Sequence, residues 1–360
     1  MIRVGVNGFG TIGKRVADAV ARQPDLELVG VAKTRPTFEA HRAVERGYPL
    51  YVAGKGSPEK FAAVGVPVAG RLDDLLGRVD VVVDASPEDV GRENRALYEA
   101  AGVRAVFQGG EEADVAEASF NALANFEACR GKRSLRVVSC NTTGIARAVA
   151  VVKPRWGVDR WEVTLIRRAA DPGESKRGPI DGIVPTLEMP SHHGPDARTI
   201  FPDLPIVTAA VVVPTTLMHV HVNHVRLGRA PAGPAELLEA FRATPRFHLF
   251  APWEGVEGTP QVMEYARDRA GRDGGLPADM MENVLWERGL SVEGRDAYFF
   301  QAIHQEAIVV PENIDAIRAM FELADGPTSI ATTDRALGLT RSTPASPAPV
   351  RAAASHPVPR

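Results

Sequence analysis

The chain has 360 residues, 44% of them hydrophobic, with a formal net charge of −3 and two cysteines, Cys129 and Cys140. A chain this long and apolar buries a full core, with two domains as the natural division. The slightly acidic balance offers no basic field for nucleic acid or a membrane surface, and two cysteines make no disulfide framework, which fits a reducing, cytoplasmic setting.

Residues 2–6 (Ile-Arg-Val-Gly-Val) read as a strand, with no charged and apolar leader before them. No apolar run reaches the roughly 18 residues of a membrane span. Asn7-Gly8-Phe9-Gly10-Thr11-Ile12-Gly13 follows at once. A helical stretch over 15–22 then carries Val16, Ala19 and Val20 on one face, and an apolar run covers 26–31. Strand, Gly-x-Gly-x-x-Gly, helix and strand within about 30 residues is the setting a dinucleotide-binding fingerprint requires. Gly8 permits the tight turn, Gly10 the approach of backbone to a pyrophosphate, and Gly13 close packing of helix on strand.

Cofactor choice is read at the end of the second strand. NAD-selective folds place an Asp or Glu there, about 20 residues past the glycines, to hold the ribose 2′-hydroxyl. Here the strand ends in Ala32-Lys33-Thr34-Arg35, and Glu27 lies back at its start. An ammonium, a hydroxyl and a guanidinium suit a 2′-phosphate, so NADP is expected to be preferred, with NAD still accepted.

Further strands are predicted over 79–84, ending in Asp84-Ala85-Ser86-Pro87, and over 104–108, ending in Gly109-Gly110, with a helix over 89–101 between them. Such alternation implies a parallel sheet with right-handed crossovers. Gly8, Lys33, Ser86, Gly110 and Cys140 each fall just after a strand, so all could line one crevice at the strands' carboxyl ends.

The run Val137-Val138-Ser139-Cys140-Asn141-Thr142-Thr143-Gly144 ends a short β-branched segment in a cysteine, and a helix is predicted over 145–152. A cysteine at such a turn meets free N–H groups and the positive end of the helix, which lowers a thiol below its free value of about 8.5. Cys129, among Ala, Phe and Leu, reads as core.

Beyond residue 152 the texture changes. Residues 161–167, 206–213 and 217–227 are β-rich without helices between them, which suggests a mostly antiparallel sheet. His219 and His221 share a face of one strand, and His224 points the other way. Either of the first two could pair with the Cys140 thiol for covalent capture of a carbonyl and hydride transfer. His-x-His as half a metal site finds no partnering Cys or acidic cluster, so no metal is expected. Arg167-Arg168 could hold phosphate. The Pro-, Gly- and His-rich stretch 171–205, with Lys176-Arg177 and His192-His193, reads as a functional or interface loop. A helix is predicted over 235–242. Another, over 312–324 after Pro311, is expected to dock back on the first domain. From 336 the Pro/Ala-rich sequence reads as a disordered tail. The expected units are 1–139 for dinucleotide binding, 140–305 for catalysis and oligomerisation, 306–335 for the returning helix and 336–360 for the tail.

The glycine motif at 7–13 together with Ser139-Cys140-Asn141-Thr142-Thr143-Gly144 resembles the phosphorylating glyceraldehyde-3-phosphate dehydrogenases. Bacterial and eukaryotic members carry Ser-Cys-Thr-Thr-Asn. The order here is similar to the archaeal-type (type II) branch. So are Lys33-Thr34, Phe107-Gln108-Gly109-Gly110, Arg167-Arg168-Ala169-Ala170-Asp171-Pro172 and Pro214-Thr215-Thr216-Leu217-Met218-His219-Val220-His221. The resemblance implies an α/β fold, with a Rossmann-type parallel sheet and an α+β catalytic domain. It implies Cys140 as nucleophile and His219, rather than His221, as base. Thr11 and Ile12 would contact the pyrophosphate, Gly110 and Gln301 the nicotinamide, and Arg168 the cofactor. Ser139, Cys140, Asn141, His193 and Gly194 would hold substrate, while the reading of the residues themselves leaves Arg167 or Arg168 to hold the substrate's phosphate or the incoming phosphate ion. A homotetramer would oxidise glyceraldehyde 3-phosphate reversibly with inorganic phosphate, in glycolysis or gluconeogenesis. Two rival readings share parts of the pattern: an aspartate or N-acetylglutamyl semialdehyde dehydrogenase, and a non-catalytic cofactor sensor.

Overall fold

The computed structural model describes residues 1–87, 89–108, 110–170, 182–272 and 278–339. Lys176-Arg177, Gly109, Asp171-Pro172 and residues 340–360 lie outside the described residues. Two sheets organise the chain. The first contains β1 (Ile2–Asn7), β2 (Leu26–Lys33), β3 (Leu50–Val52), β4 (Gly70–Arg71), β5 (Val81–Asp84), β6 (Arg104–Gln108), β7 (Ala118–Phe120) and β8 (Ser134–Val137). Its order is β4-β3-β2-β1-β5-β6-β8-β7, and every neighbouring pair is parallel. Helices cover both faces, so its central strands are apolar on both sides. Val4, Val6, Val81, Val82 and Val83 are all fully buried. The order reverses between β1 and β5, which opens a crevice beyond their carboxyl ends.

The second sheet contains β9 (Val158–Arg168), β10 (Val184–Pro185), β11 (Ile206–Val213), β12 (His219–Leu227), β13 (Phe247–Phe250), β14 (Asn283–Glu293) and β15 (Asp296–Ile303), in the order β10-β11-β9-β12-β15-β14-β13. It is mixed. Four pairs are antiparallel, while β9–β11 and β13–β14 are parallel. Each parallel pair is joined by a long connection with room to carry the chain back to the start of its neighbour.

The helix Cys140–Trp156 leaves the end of β8 and packs on the second sheet, with Ile145, Val149 and Val152 in one core with Trp161 and Leu165, and it is much longer than the predicted 145–152. Thr142, Thr143 and Gly144 are poor helix formers on their own. They are helical here because Ser139 caps them, accepting the Thr142 N–H at 3.3 Å, and because all three are buried. The stretch predicted as one C-terminal helix is two, Val310–Met320 and Gly326–Leu337. Glu322, at φ 53°, breaks the first, and Asp325 caps the second by accepting the Thr328 N–H at 2.8 Å. Ile314, Ile317 and Met320 join Val4, Val16 and Leu135 in one core beneath the first sheet. Order also runs past residue 336, because Leu337 and Leu339 pack into that same core.

Candidate active site

Cys140 is the first residue of its helix, just beyond β8, and His219 is the first residue of β12. The two sheets bring them together, with Cys140 Sγ 3.5 Å from His219 Nε2. The other ring nitrogen, Nδ1, accepts the backbone N–H of Arg168 at 3.0 Å. Burial, reinforced by His221, Arg168 and Arg167, holds the imidazole well below its ordinary value of 6.5, so it is neutral near pH 7. A neutral ring that accepts at Nδ1 carries its proton on Nε2. His219 therefore points a donor at the sulfur.

The thiol differs from the sequence expectation. Enclosure by protein pushes Cys140 up to about 11, against the pull of Arg168 and Arg167. The Asn141 N–H at the helix end also pulls the thiol down, but burial outweighs it and the partner imidazole is uncharged. Cys129 is buried and lies in the core as expected.

His221 sits one layer behind. Its Nε2 lies 2.9 Å from Asn141 Oδ1, and its Nδ1 lies 3.1 Å from Gln301 Nε2. Gln301, expected beside the nicotinamide, is fully buried here and accepts from Asn283 at 2.9 Å. The chain Gln301–His221–Asn141 thus holds the residue next to the nucleophile. Gly144 makes this close approach possible, since a Cβ there would stand 2.1 Å from Ile303 Cδ1. His224 faces away, between Glu162 and Asp296.

Two cavities meet at Cys140. The first, about 790 Å³, is lined by Ser139, Cys140, Asn141, Arg167, Arg168, His192, His193, Gly110 and His219. His192 and His193 stack with centroids 4.0 Å apart, and His193 bonds the Ser191 hydroxyl at 3.1 Å. Burial holds the His193 ring neutral, pushed down to about 2. The Gly194 amide is committed to Thr208 Oγ1 at 3.0 Å rather than to the cavity. Arg136, buried, and Asp196, half-buried, which the sequence did not single out, pair at 2.6 Å in the wall. Asp196 also takes the Thr142 hydroxyl and so braces the first turn of the nucleophile's helix.

The second cavity, about 800 Å³, runs from Cys140 across the switch point to the end of β2. Gly8, Gly10, Thr11, Ile12, Lys33, Thr34, Arg35, Ser86, Gly110 and Arg168 line it, together with Gln305 and Glu306. Gly8 takes φ +98°, and a Cβ there would stand 2.5 Å from the Ala85 backbone. A Cβ on Gly13 would stand 1.7 Å from Gly8 O, whereas Gly10 faces open space. That cradle, leading to a thiol at its far end, fits an extended dinucleotide. Gln305 and Glu306 were not singled out, although they lie two and three residues past the end of β15, where the strand-end rule applied to the second sheet would have found them. Lys33 donates to Phe9 O at 3.1 Å and lies 3.4 Å from Glu39. Among the described residues no group of three His, Cys, Asp or Glu could hold a metal ion, and no helix is long and apolar enough to cross a membrane.

Comparison with known proteins agrees with this geometry. Residues 139–273 match the family model described as glyceraldehyde 3-phosphate dehydrogenase, C-terminal domain, and residues 2–129 match the one described as dihydrodipicolinate reductase, N-terminus. The curated glyceraldehyde-3-phosphate dehydrogenase of Halobacterium salinarum is 52% identical over 340 residues, covering 94% of this chain and 100% of that protein. Those of Archaeoglobus fulgidus and Pyrococcus abyssi are 49% and 51% identical, over 94% of this chain and 98% and 99% of their own lengths. The chain belongs to the glyceraldehyde-3-phosphate dehydrogenase family.

Proposed function

We propose that this protein is a phosphorylating glyceraldehyde-3-phosphate dehydrogenase that oxidises the aldehyde with inorganic phosphate and NAD(P) to the acyl phosphate, reversibly. The observation that carries the reading is Cys140, placed where the two cavities meet and 3.5 Å from His219 Nε2.

The partly exposed thiol gives its proton to solvent in the cavity, and the sulfur adds to the aldehyde carbon. The His219 Nε2–H donates to the thiolate and then to the oxygen that takes up the negative charge. The nicotinamide supplies the acceptor for the hydride that leaves this carbon. Collapse of the alkoxide re-forms C=O and leaves a thioester on Cys140. Phosphate, held between Arg167 and the His192–His193 edge, attacks that carbonyl, and the thiolate departs, steadied by the His219 Nε2–H, and takes its proton back from solvent. His219 thus serves as a hydrogen-bond donor, where the family resemblance suggested a base. Asn141 orients the substrate, and Arg168 stands between the two ligands. Gln305, rather than Gln301, reaches the nicotinamide end.

NADP is bound better than NAD, supported by Lys33, Thr34 and Arg35 on the far rim of the cavity. The protein works in the cytoplasm as a homotetramer, in glycolysis or gluconeogenesis. Tyr298 and Phe300 on the outer face of β15 are exposed apolar surface suited to contact with a second copy.

The test is steady-state and single-turnover kinetics with glyceraldehyde 3-phosphate and either nicotinamide cofactor. With phosphate, turnover should be continuous. Without it, one equivalent of reduced cofactor should form per Cys140 and then stall at the thioester. Continuous turnover without phosphate, or full activity in Cys140→Ser, would overturn the assignment.

A further inference from the structure

The lysine expected to receive a 2′-phosphate already has a fixed partner. β2 ends at Lys33, and the chain turns through Arg35 and Thr37 into the helix Phe38–Glu45, whose first turn carries Glu39. Lys33 Nζ lies 3.4 Å from Glu39 Oε2, with the two side chains only 14% and 17% exposed. The same carboxylate oxygen accepts the Thr37 hydroxyl, which pins the acid in place. Burial works against its charge, yet the Thr37 hydroxyl, the local backbone N–H and Lys33 hold the carboxyl below its ordinary value, so it is ionised at neutral pH. No such carboxylate is legible at the strand end. Glu39 arrives from the following helix, six positions past Lys33 in sequence.

We propose that Glu39 is a specificity-determining residue that sets the ratio of NADP to NAD binding by holding Lys33. The proposal rests on the reading above that the Lys33 end of the cavity receives the adenosine ribose. A cofactor without a 2′-phosphate leaves the Lys33–Glu39 pair intact. A 2′-phosphate dianion must draw the ammonium away from Glu39 and sit near a carboxylate of like charge. Arg35 and Lys55, exposed on the same rim, offset that penalty in part. The pair thus narrows the NADP advantage and keeps the protein open to both cofactors.

The experiment measures dissociation constants for NADP and NAD by titration calorimetry on the wild type, E39Q, K33A and K33A/E39Q, with thermal midpoints as a check on folding. E39Q should tighten NADP by about threefold to tenfold, the range of one partly exposed ion pair, and change NAD by less than about twofold. The gain should shrink in the K33A background and at high salt. E39A should act in the same direction, so the outcome does not hang on one variant. An unchanged NADP-to-NAD ratio in E39Q and E39A, while K33A selectively loses NADP, would overturn the role of Glu39 alone. An unchanged ratio in K33A would overturn the placement of the 2′-phosphate at Lys33. An undiminished E39Q gain in the K33A background would show that Glu39 acts without Lys33, and would overturn the pairing.

Discussion

At the scale of single residues, the site turns on which nitrogen of His219 carries the proton. The Arg168 backbone N–H occupies Nδ1, so the ring offers Nε2–H to Cys140 whatever the side chain of residue 168. A neutral donor steadies a thiolate once formed, but it adds no charge that would keep the thiolate present at rest. The half-buried thiol, pushed up to about 11, is therefore mostly protonated at neutral pH. Alkylation of the free enzyme by iodoacetamide should rise about tenfold per pH unit from 7 to 9, because the rate follows the thiolate fraction. Cys140 should label ahead of the buried Cys129. His219→Asn should lower turnover by roughly 100-fold, the loss of one donor to the developing oxyanion, while leaving that pH profile nearly unmoved. A rate that levels off below pH 8, or a profile that shifts upward by a unit in His219→Asn, would mean a charged imidazole beside a resting thiolate.

At the scale of elements, the helix Cys140–Trp156 decides the geometry, and its contact with β15 decides the helix. Gly144 opposes Ile303 so closely that a single added methyl overlaps the Ile303 side chain. Gly144→Ala should cost about 1–3 kcal/mol of stability and move Cys140 away from His219. The loss should fall on kcat more than on cofactor affinity, since the glycine cradle at 8–13 is untouched. Adding Ile303→Val should restore part of both losses, and equal defects in the single and double variants would refute this packing account. The strand Ile2–Asn7, the glycine turn and Cys140 at a strand end were legible because each is a local pattern with its chemistry inside a few residues. The first turn of the Cys140 helix was not, because its two threonines and a glycine are helical only by virtue of Ser139, Asp196 and Ile303. Gln301 was misplaced for a related reason. Along β15 it alternates with outward-facing residues, and only the neighbouring Asn283 and His221 show that it faces inward. Glu39 belongs to the same class, since its partner lies on another element.

At the scale of the whole molecule, the two sheets are fastened by buried charge. Arg147, two turns past Cys140 on the same helix, donates to Glu312 Oε1 at 2.7 Å and to the carbonyls of Met281 and Ile308 at 2.8 and 2.9 Å. Arg246, just before β13, reaches the same Glu312 oxygen at 3.1 Å, and the Ala122 N–H donates to the other at 2.6 Å. Glu312 belongs to the helix Val310–Met320, so one carboxylate joins the nucleophile's helix, the second sheet and the core of the first. All three side chains are fully buried. Removing the acid leaves Arg147 without a carboxylate in a dry interior, while Arg246 keeps Asp315 and Asp334, and Glu312→Gln should cost about 3–5 kcal/mol. Burial alone would raise the Glu312 carboxyl, but Arg147 and Arg246 bring it below its ordinary value of 4.5. A folded value below the unfolded one means that the group's contribution is complete above about pH 4.5 and is lost as pH falls through the folded value. Urea unfolding from pH 7 to 3 should show wild-type stability declining below about pH 4.5. Glu312→Gln should start lower and decline less steeply, because one proton-linked group is gone. Parallel curves for the two proteins, or equal stability at pH 7, would mean that the surrounding carbonyls satisfy Arg147, that Asp315 and Asp334 suffice for Arg246, and that the Glu312 carboxylate is not the fastening.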